Sequence, residues 1–163
     1  MATRPGDRPA FLDMLMPLLP AGQRLAYAML QNAHEAEDAV QEAAFKAWRA
    51  AGRFREGSEL RPWFLTIVAN ECRQRRRNRW WSVNKVAKLP ERENAGPESE
   101  VDVAELRSAL RRLPTDMRLT LVLRYYLDLR FVEIGRVLKC SPQAAKSRTH
   151  RALTELRVEV PKE

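Results

Sequence analysis

Between Gly52 and Trp81 the sequence interleaves arginine with aromatic rings. Arg53, Phe54, Arg55 and Arg61 surround a Gly57-Ser58 turn, and Pro62-Trp63-Phe64 follows. The segment then runs past Asn70 into Arg73, Arg75, Arg76, Arg77, Arg79, Trp80 and Trp81. Guanidinium groups neutralise phosphates, rings stack on unpaired bases and an amide hydrogen-bonds a base edge, so this set suits a strand-separated nucleic acid. The rings also have a plainer use, because Trp63, Phe64, Ile67 and Val68 are spaced to anchor a helix on a core. Trp80 and Trp81, at a charged terminus, are harder to explain that way.

A second constellation closes the chain. In a helix over Pro142–Arg157, Ala145, Thr149, Ala152, Leu153 and Leu156 share one face. The opposite face collects Gln143, Lys146, Ser147, His150, Arg151 and Thr154, side chains that reach base edges and phosphates, with no carboxylate among them. Ser141 offers an N-cap hydroxyl and Pro142 a pre-set first residue. With the short helix Phe131–Leu138 and a tight turn before it, this is a helix-turn-helix pattern, whose second helix enters the major groove. The other reading is an exposed polar helix in a bundle.

The third segment, His34–Arg49, has the opposite sign. Ala36, Val40, Ala43, Ala44 and Ala47 face inward with Trp48 at the edge, while Glu35, Asp38, Gln41, Glu42 and Phe45 face outward. An acidic face with a phenylalanine at its centre is wrong for DNA and suits a basic protein partner. It can also be read as a solvated helix with one outlying ring. Glu37 is expected at the core edge, and His34 is the one histidine within helical reach, so the carboxylates form no metal set. No phosphate-cradling glycine loop and no nucleophile–base pair occurs, which argues against an enzyme, a cofactor or a small-molecule substrate. Cys72 and Cys140 fit neither a disulfide framework nor metal-ligand spacing, and read as small hydrophobes.

These segments need elements to hold them. The 163 residues are 45% hydrophobic and 31% charged, a globular composition, with a net charge of +8. No apolar run approaches the roughly 18–20 residues that span a bilayer. The N-terminal stretch lacks signal-peptide organisation, so no membrane insertion and a cytoplasmic location are expected. The charge is uneven: residues 1–48 hold four bases and six acids, residues 49–92 twelve and four, and residues 93–163 thirteen and eleven. Two separate basic blocks imply a polyanion touched in two places. Periodicity is helical throughout and lapses between Trp81 and Val101, where Pro90, Gly96 and Pro97 interrupt it. The expected architecture is all-α, with small helical domains at 1–81 and 102–163 joined by an extended linker at 82–101. Helices are expected near Leu12–Gln31 (interrupted at Pro17, Pro20 and Gly22), Glu35–Ala51, Trp63–Arg79, Val103–Leu113, Thr115–Leu127, Phe131–Leu138 and Pro142–Arg157.

In this order, the segments resemble a bacterial extracytoplasmic-function sigma factor. The resemblance rests on Glu37-Asp38-Ala39-Val40-Gln41-Glu42 with Phe45 and Trp48, then Arg53-Phe54, Gly57-Ser58, Trp63-Phe64 and Ile67-Val68-Ala69-Asn70 with the arginine run. In the second half it rests on Leu113-Pro114, Leu123-Arg124-Tyr125-Tyr126, Glu133-Ile134, Lys146-Ser147-Arg148 and Arg151-Ala152-Leu153. It implies a promoter-specificity subunit that binds core RNA polymerase and directs initiation at −10 and −35 elements, with promoter DNA and an anti-sigma factor as further partners. It implies that Glu35, Asp38, Gln41, Glu42 and Phe45 dock on polymerase. Arg53, Arg55, Arg61, Asn70, Arg73, Arg76, Arg77 and Trp80 would meet the −10 element. Gln143, Lys146, Ser147, Arg148, His150 and Arg151 would read the −35 element.

The chain departs from the family pattern at Lys139, Gln143, Ala144 and Ala145, where glycines and a Thr-Val pair are usual, and at Ala44, where a Phe is common. The alternative function is a free-standing helix-turn-helix regulator with an N-terminal sensor or dimerisation domain. That reading leaves the acidic Phe45 face and the Arg/Trp block without a use.

Overall fold

Proline placement decides how the chain begins. The computed structural model describes residues 8–55, 57–82 and 100–159. Helix α1 (Arg8–Leu15) passes through a 3₁₀ turn, Met16–Leu18, into α2 (Leu19–Leu30). Pro17 and Pro20 each lie in the first turn of their segment, where a missing N–H costs nothing. The expected interruption is found at Pro17 but not at Pro20 or Gly22, which lie inside α2, and helix starts four residues earlier than the periodicity suggests. Gln31 then turns left-handed at φ 56°, and Asn32 caps α3 (Ala33–Arg49) by accepting the Glu35 N–H at 3.0 Å. A second 3₁₀ turn, Ala51–Arg53, leads towards α4 (Leu60–Ser82).

Helices α2, α3 and α4 pack on one another around a core of unequal partners. α4 contributes Phe64, Leu65, Val68, Ala69 and Cys72, all fully buried. α3 contributes Ala36, Ala39, Val40, Ala43 and Ala47, so its seam is almost wholly alanine. Close approach extends to α2, where a Cβ on Gly22 would stand 3.1 Å from Cε1 of Phe64. Phe11, Phe54 and Trp63 form an edge-to-face cluster with ring centroids 5.3–6.3 Å apart. Phe54 and Trp63 are therefore packed in this cluster rather than standing as open stacking platforms.

A second compact unit begins at α5 (Glu100–Arg112), which stops ahead of Pro114. It takes in α6 (Thr115–Leu121), α7 (Phe131–Leu138) as far as Gly135, and α8 (Pro142–Glu159). Leu113, Leu121 and Ala152 are buried together, with Leu110, Met117, Leu153 and Leu156 packed around them. The expected helix over Thr115–Leu127 is found without a break to Tyr126, but it does not stay α-helical to its end. α6 gives way to a π turn at Val122–Tyr126, closed by the Leu127 N–H on the Val122 carbonyl at 2.9 Å. Through this stretch Leu123 and Leu127 stay buried, and Tyr125 and Tyr126 lie outside, 63% and 60% exposed. Among the described residues there is no strand. The segment read as a linker lies outside the described residues except at its ends.

Candidate nucleic-acid and protein interfaces

On α3 the inward and outward sets separate by helical period. Asp38, Gln41, Glu42 and Phe45 are exposed and Glu35 is half-buried. Glu37 is exposed, not at the core edge, because the buried face centres on Ala36, Ala43 and Ala47 and extends towards Ala39, which leaves Glu37 about a quarter-turn outside it on the other side. Ala44 is half-buried where a fully inward position was expected. Phe45, 50% exposed, is held rather than loose. Its ring stacks on Trp48 at 6.2 Å and 26°, with the Arg49 guanidinium 5.7 Å from its centre. Arg8 of α1 lies over Trp48 at 4.7 Å. The result is an acidic surface with one preset aromatic ring, the anatomy of an interface with a basic, partly apolar partner.

The loop into α4 and the outer side of α4 carry the opposite sign. Arg53 and Arg55 are exposed beside a turn that only glycine makes cheaply, Gly57 at φ 87°. Arg61 and Asn70 are half-buried on α4, and the Asn70 Oδ1 accepts from Arg73 Nη1 at 3.2 Å. Arg76 and Arg77 are exposed and Arg73 is half-buried. Arg75 is half-buried with its Nε enclosed and unbonded among the described residues. The side chain of Trp80 lies outside the described residues. One carboxylate interrupts this helix: Glu71 is buried and ion-paired to Lys46 of α3. Beside it, burial pushes the Cys72 thiol up to about 12, against the opposing pull of Arg75. Cys72 is an inert core residue.

In the second unit, α8 is started by chemistry legible in the sequence. The Ser141 hydroxyl accepts the Ala144 N–H at 3.1 Å, and Pro142 opens the helix. Ala145, Thr149 and Ala152 are buried, and Thr149 satisfies its hydroxyl on the Ala145 carbonyl at 2.8 Å. Gln143, Lys146, Ser147, His150 and Arg151 are exposed and Arg148 is half-buried.

Two supports of this helix-turn-helix were missed in the sequence. Glu133 is buried and accepts the Arg130 N–H at 2.7 Å, capping α7 from its third residue. The signal was a carboxylate three places past the capping position, Arg130, but without a Ser or Thr there to complete the usual pair. The other is Gly135, where a Cβ would sit 2.5 Å from the Cys140 carbonyl oxygen. The turn between the helices closes only because that space is empty.

The chain matches the family model for Sigma-70 region 2 over residues 14–82 and that for Sigma-70 region 4 over residues 104–156. It is 32% identical over 162 residues to the RNA polymerase sigma factor CarQ of Myxococcus xanthus, covering 94% of this chain and 91% of that one. It is 29% identical to the extracytoplasmic-function sigma factor SigW of Bacillus subtilis, with 93% and 89% covered. Among solved structures, it resembles the sigma factor RpoE of Bartonella quintana, determined in complex with the anti-sigma factor NepR. That match has a TM-score of 0.81 and 26% identity, and covers 92% of this chain and 96% of that one.

Proposed function

This chain belongs to the extracytoplasmic-function sigma factors of the sigma-70 family, and from that membership we propose how its two units divide the work of promoter recognition. The protein is a promoter-specificity subunit of bacterial RNA polymerase. Its first unit docks on core enzyme through Glu35, Asp38, Gln41, Glu42 and Phe45. The same unit meets the −10 element through Arg53, Arg55, Arg61, Asn70, Arg73, Arg76, Arg77 and Trp80. Its second unit reads the −35 element through Gln143, Lys146, Ser147, Arg148, His150 and Arg151.

The observation that carries this division is the sign change within one small unit. α3 presents exposed acids around Phe45, while the outward side chains of α4 from Arg73 to Arg77 include no carboxylate. A single polyanion cannot engage both surfaces, so the first unit has two partners of opposite charge. The mechanism calls for no covalent step and no cofactor. Arginines hold the backbone, and a base taken out of the duplex is bound in preference to a paired one. That difference in affinity shifts the duplex towards the open form. The protein works where polymerase works, in the cytoplasm, and among its described residues no helix is long and apolar enough to cross a membrane. The Bartonella quintana relative was solved with an anti-sigma factor, and we extend that class of partner to this chain.

Run-off transcription with core polymerase on a genomic library tests the reading. Promoter-dependent transcripts with a shared −10/−35 motif are expected, and reversing charge at Asp38 and Glu42 should abolish them while the fold persists. Tight duplex binding by the chain alone, unaffected by core, would instead identify a free-standing regulator.

A further inference from the structure

The buried Glu71 is a feature of the first unit that neither proposed interface uses. It is 7% exposed, on the side of α4 that also buries Val68, Ala69 and Cys72. A carboxylate there is costly to desolvate, and its partner, Lys46, comes from another helix 25 residues earlier in the chain. Lys46 has a cheaper choice: Glu42 precedes it by four residues on the exposed face, the spacing of an ordinary surface pair. The lysine nevertheless turns across to α4.

The helices it joins need a directional bond. The α3 seam of Ala36, Ala39, Ala43 and Ala47 is smooth, with Val40 as its one branched side chain. Methyl groups permit close approach but specify axial register poorly. A single polar pair is a well-attested way to fix register between helices. The position of this pair matters as much as its presence. Lys46 follows Phe45, the ring at the centre of the proposed docking face, and Glu71 follows Asn70, in the proposed −10 set.

We infer that the Lys46–Glu71 ion pair is a positioning device that sets the register of α4 against α3, and so places the −10 residues at a fixed offset from the polymerase-docking face. This rests on the proposed division of the first unit into docking and −10 faces. Lys46 and Glu71 touch neither partner in this role; they act through the helices that do.

The test replaces both charges with apolar groups of similar length, Lys46→Met with Glu71→Met, in the full chain. Urea unfolding, affinity for core polymerase, and open-complex formation are measured, the last by 2-aminopurine fluorescence at the −10 element. The paired variant should be about as stable as the parent and bind core within about twofold, because the Lys46 side chain is 45% exposed, which keeps the pair's net contribution small, and Glu71→Met places an apolar group on a buried site. Its isomerisation to the open complex should slow about tenfold, the scale expected of a small misplacement of contact residues. Lys46→Arg, which keeps the charge and the bond, should open promoters at the parental rate. A Met pair that opens promoters normally overturns the inference. So does one that fails to fold, or loses core affinity in step with opening, since the pair is then merely structural. Slow opening in Lys46→Arg equal to that of the Met pair would also overturn it. If the parent chain itself forms no open complex with core, the underlying functional reading has failed instead.

Discussion

Lys139 holds φ at 56° in the turn between α7 and α8, a conformation that costs a side chain with a Cβ about 1 kcal/mol. Lys139→Gly should therefore raise the stability of the second unit by about that amount, read as a higher urea midpoint for its transition. Gly135 is the reverse case. Gly135→Ala drives a methyl into the Cys140 carbonyl oxygen 2.5 Å away, and backbone cannot yield as a side-chain tip would. A loss on the order of 1–3 kcal/mol is expected, with −35 binding falling in parallel, as measured by unfolding and by footprinting with core. Cys72 gives a pH dependence with a definite sign. Its folded thiol is raised from 9.0 to about 12, so the unfolded chain releases this proton first. Stability is intact below about pH 9 and declines as pH rises towards 12, and Cys72→Ala should flatten that decline in alkaline unfolding titrations. Of these residues, Lys139 was visible in the sequence as a departure from the family pattern, and Cys72 as a small hydrophobe, which its burial bears out. The close contact at Gly135 and the raised thiol of Cys72 depend on tertiary neighbours.

Helix starts and stops show which elements were legible and why. Where a side chain does local chemistry, the sequence is explicit. Ser141 and Pro142 open α8 as expected, Pro114 ends α5, and the inward set of α8 falls where its period puts it. Ser141→Ala should cost about 1 kcal/mol and fray the first turn of α8, visible as faster amide exchange at Gln143 and Ala144. The π turn at Val122–Tyr126 was not legible, because period alone cannot report one extra residue. Where a π turn falls is set by packing on neighbouring helices, which the local sequence does not encode. The aromatic cluster has the same origin. Trp63 was legible as a core anchor, but Phe54 looks like a stacking platform beside arginines until Phe11, some forty residues earlier, is seen against both rings. On α3 the buried face is turned slightly from the one expected, taking in Ala39 on one side and leaving Ala44 half-buried and Glu37 exposed on the other, while the outward face stayed intact.

Across the whole molecule, the +8 total is the sum of parts with different addressees. Phosphate contacts on the proposed −35 face should appear in salt dependence. Lys146→Ala and Arg151→Ala should each lower the slope of log affinity against log salt by about one if they touch phosphate, measured on promoter fragments with holoenzyme. A base-edge contact would instead change sequence preference and leave the slope alone. The sequence made the sign of each block plain, because charge clusters are local in the chain. It could not show that Glu71 is an internal charge rather than a break in the arginine run, since its partner lies on another helix. The alanine seam of α3 has a last consequence for how such a surface changes over generations. An inner face built from Ala36, Ala39, Ala43 and Ala47 asks nothing of the side chains on its far side. Asp38, Gln41, Glu42 and Phe45 can be rewritten one at a time without repacking the bundle, so divergence towards a new protein partner is open to this helix at almost no structural penalty.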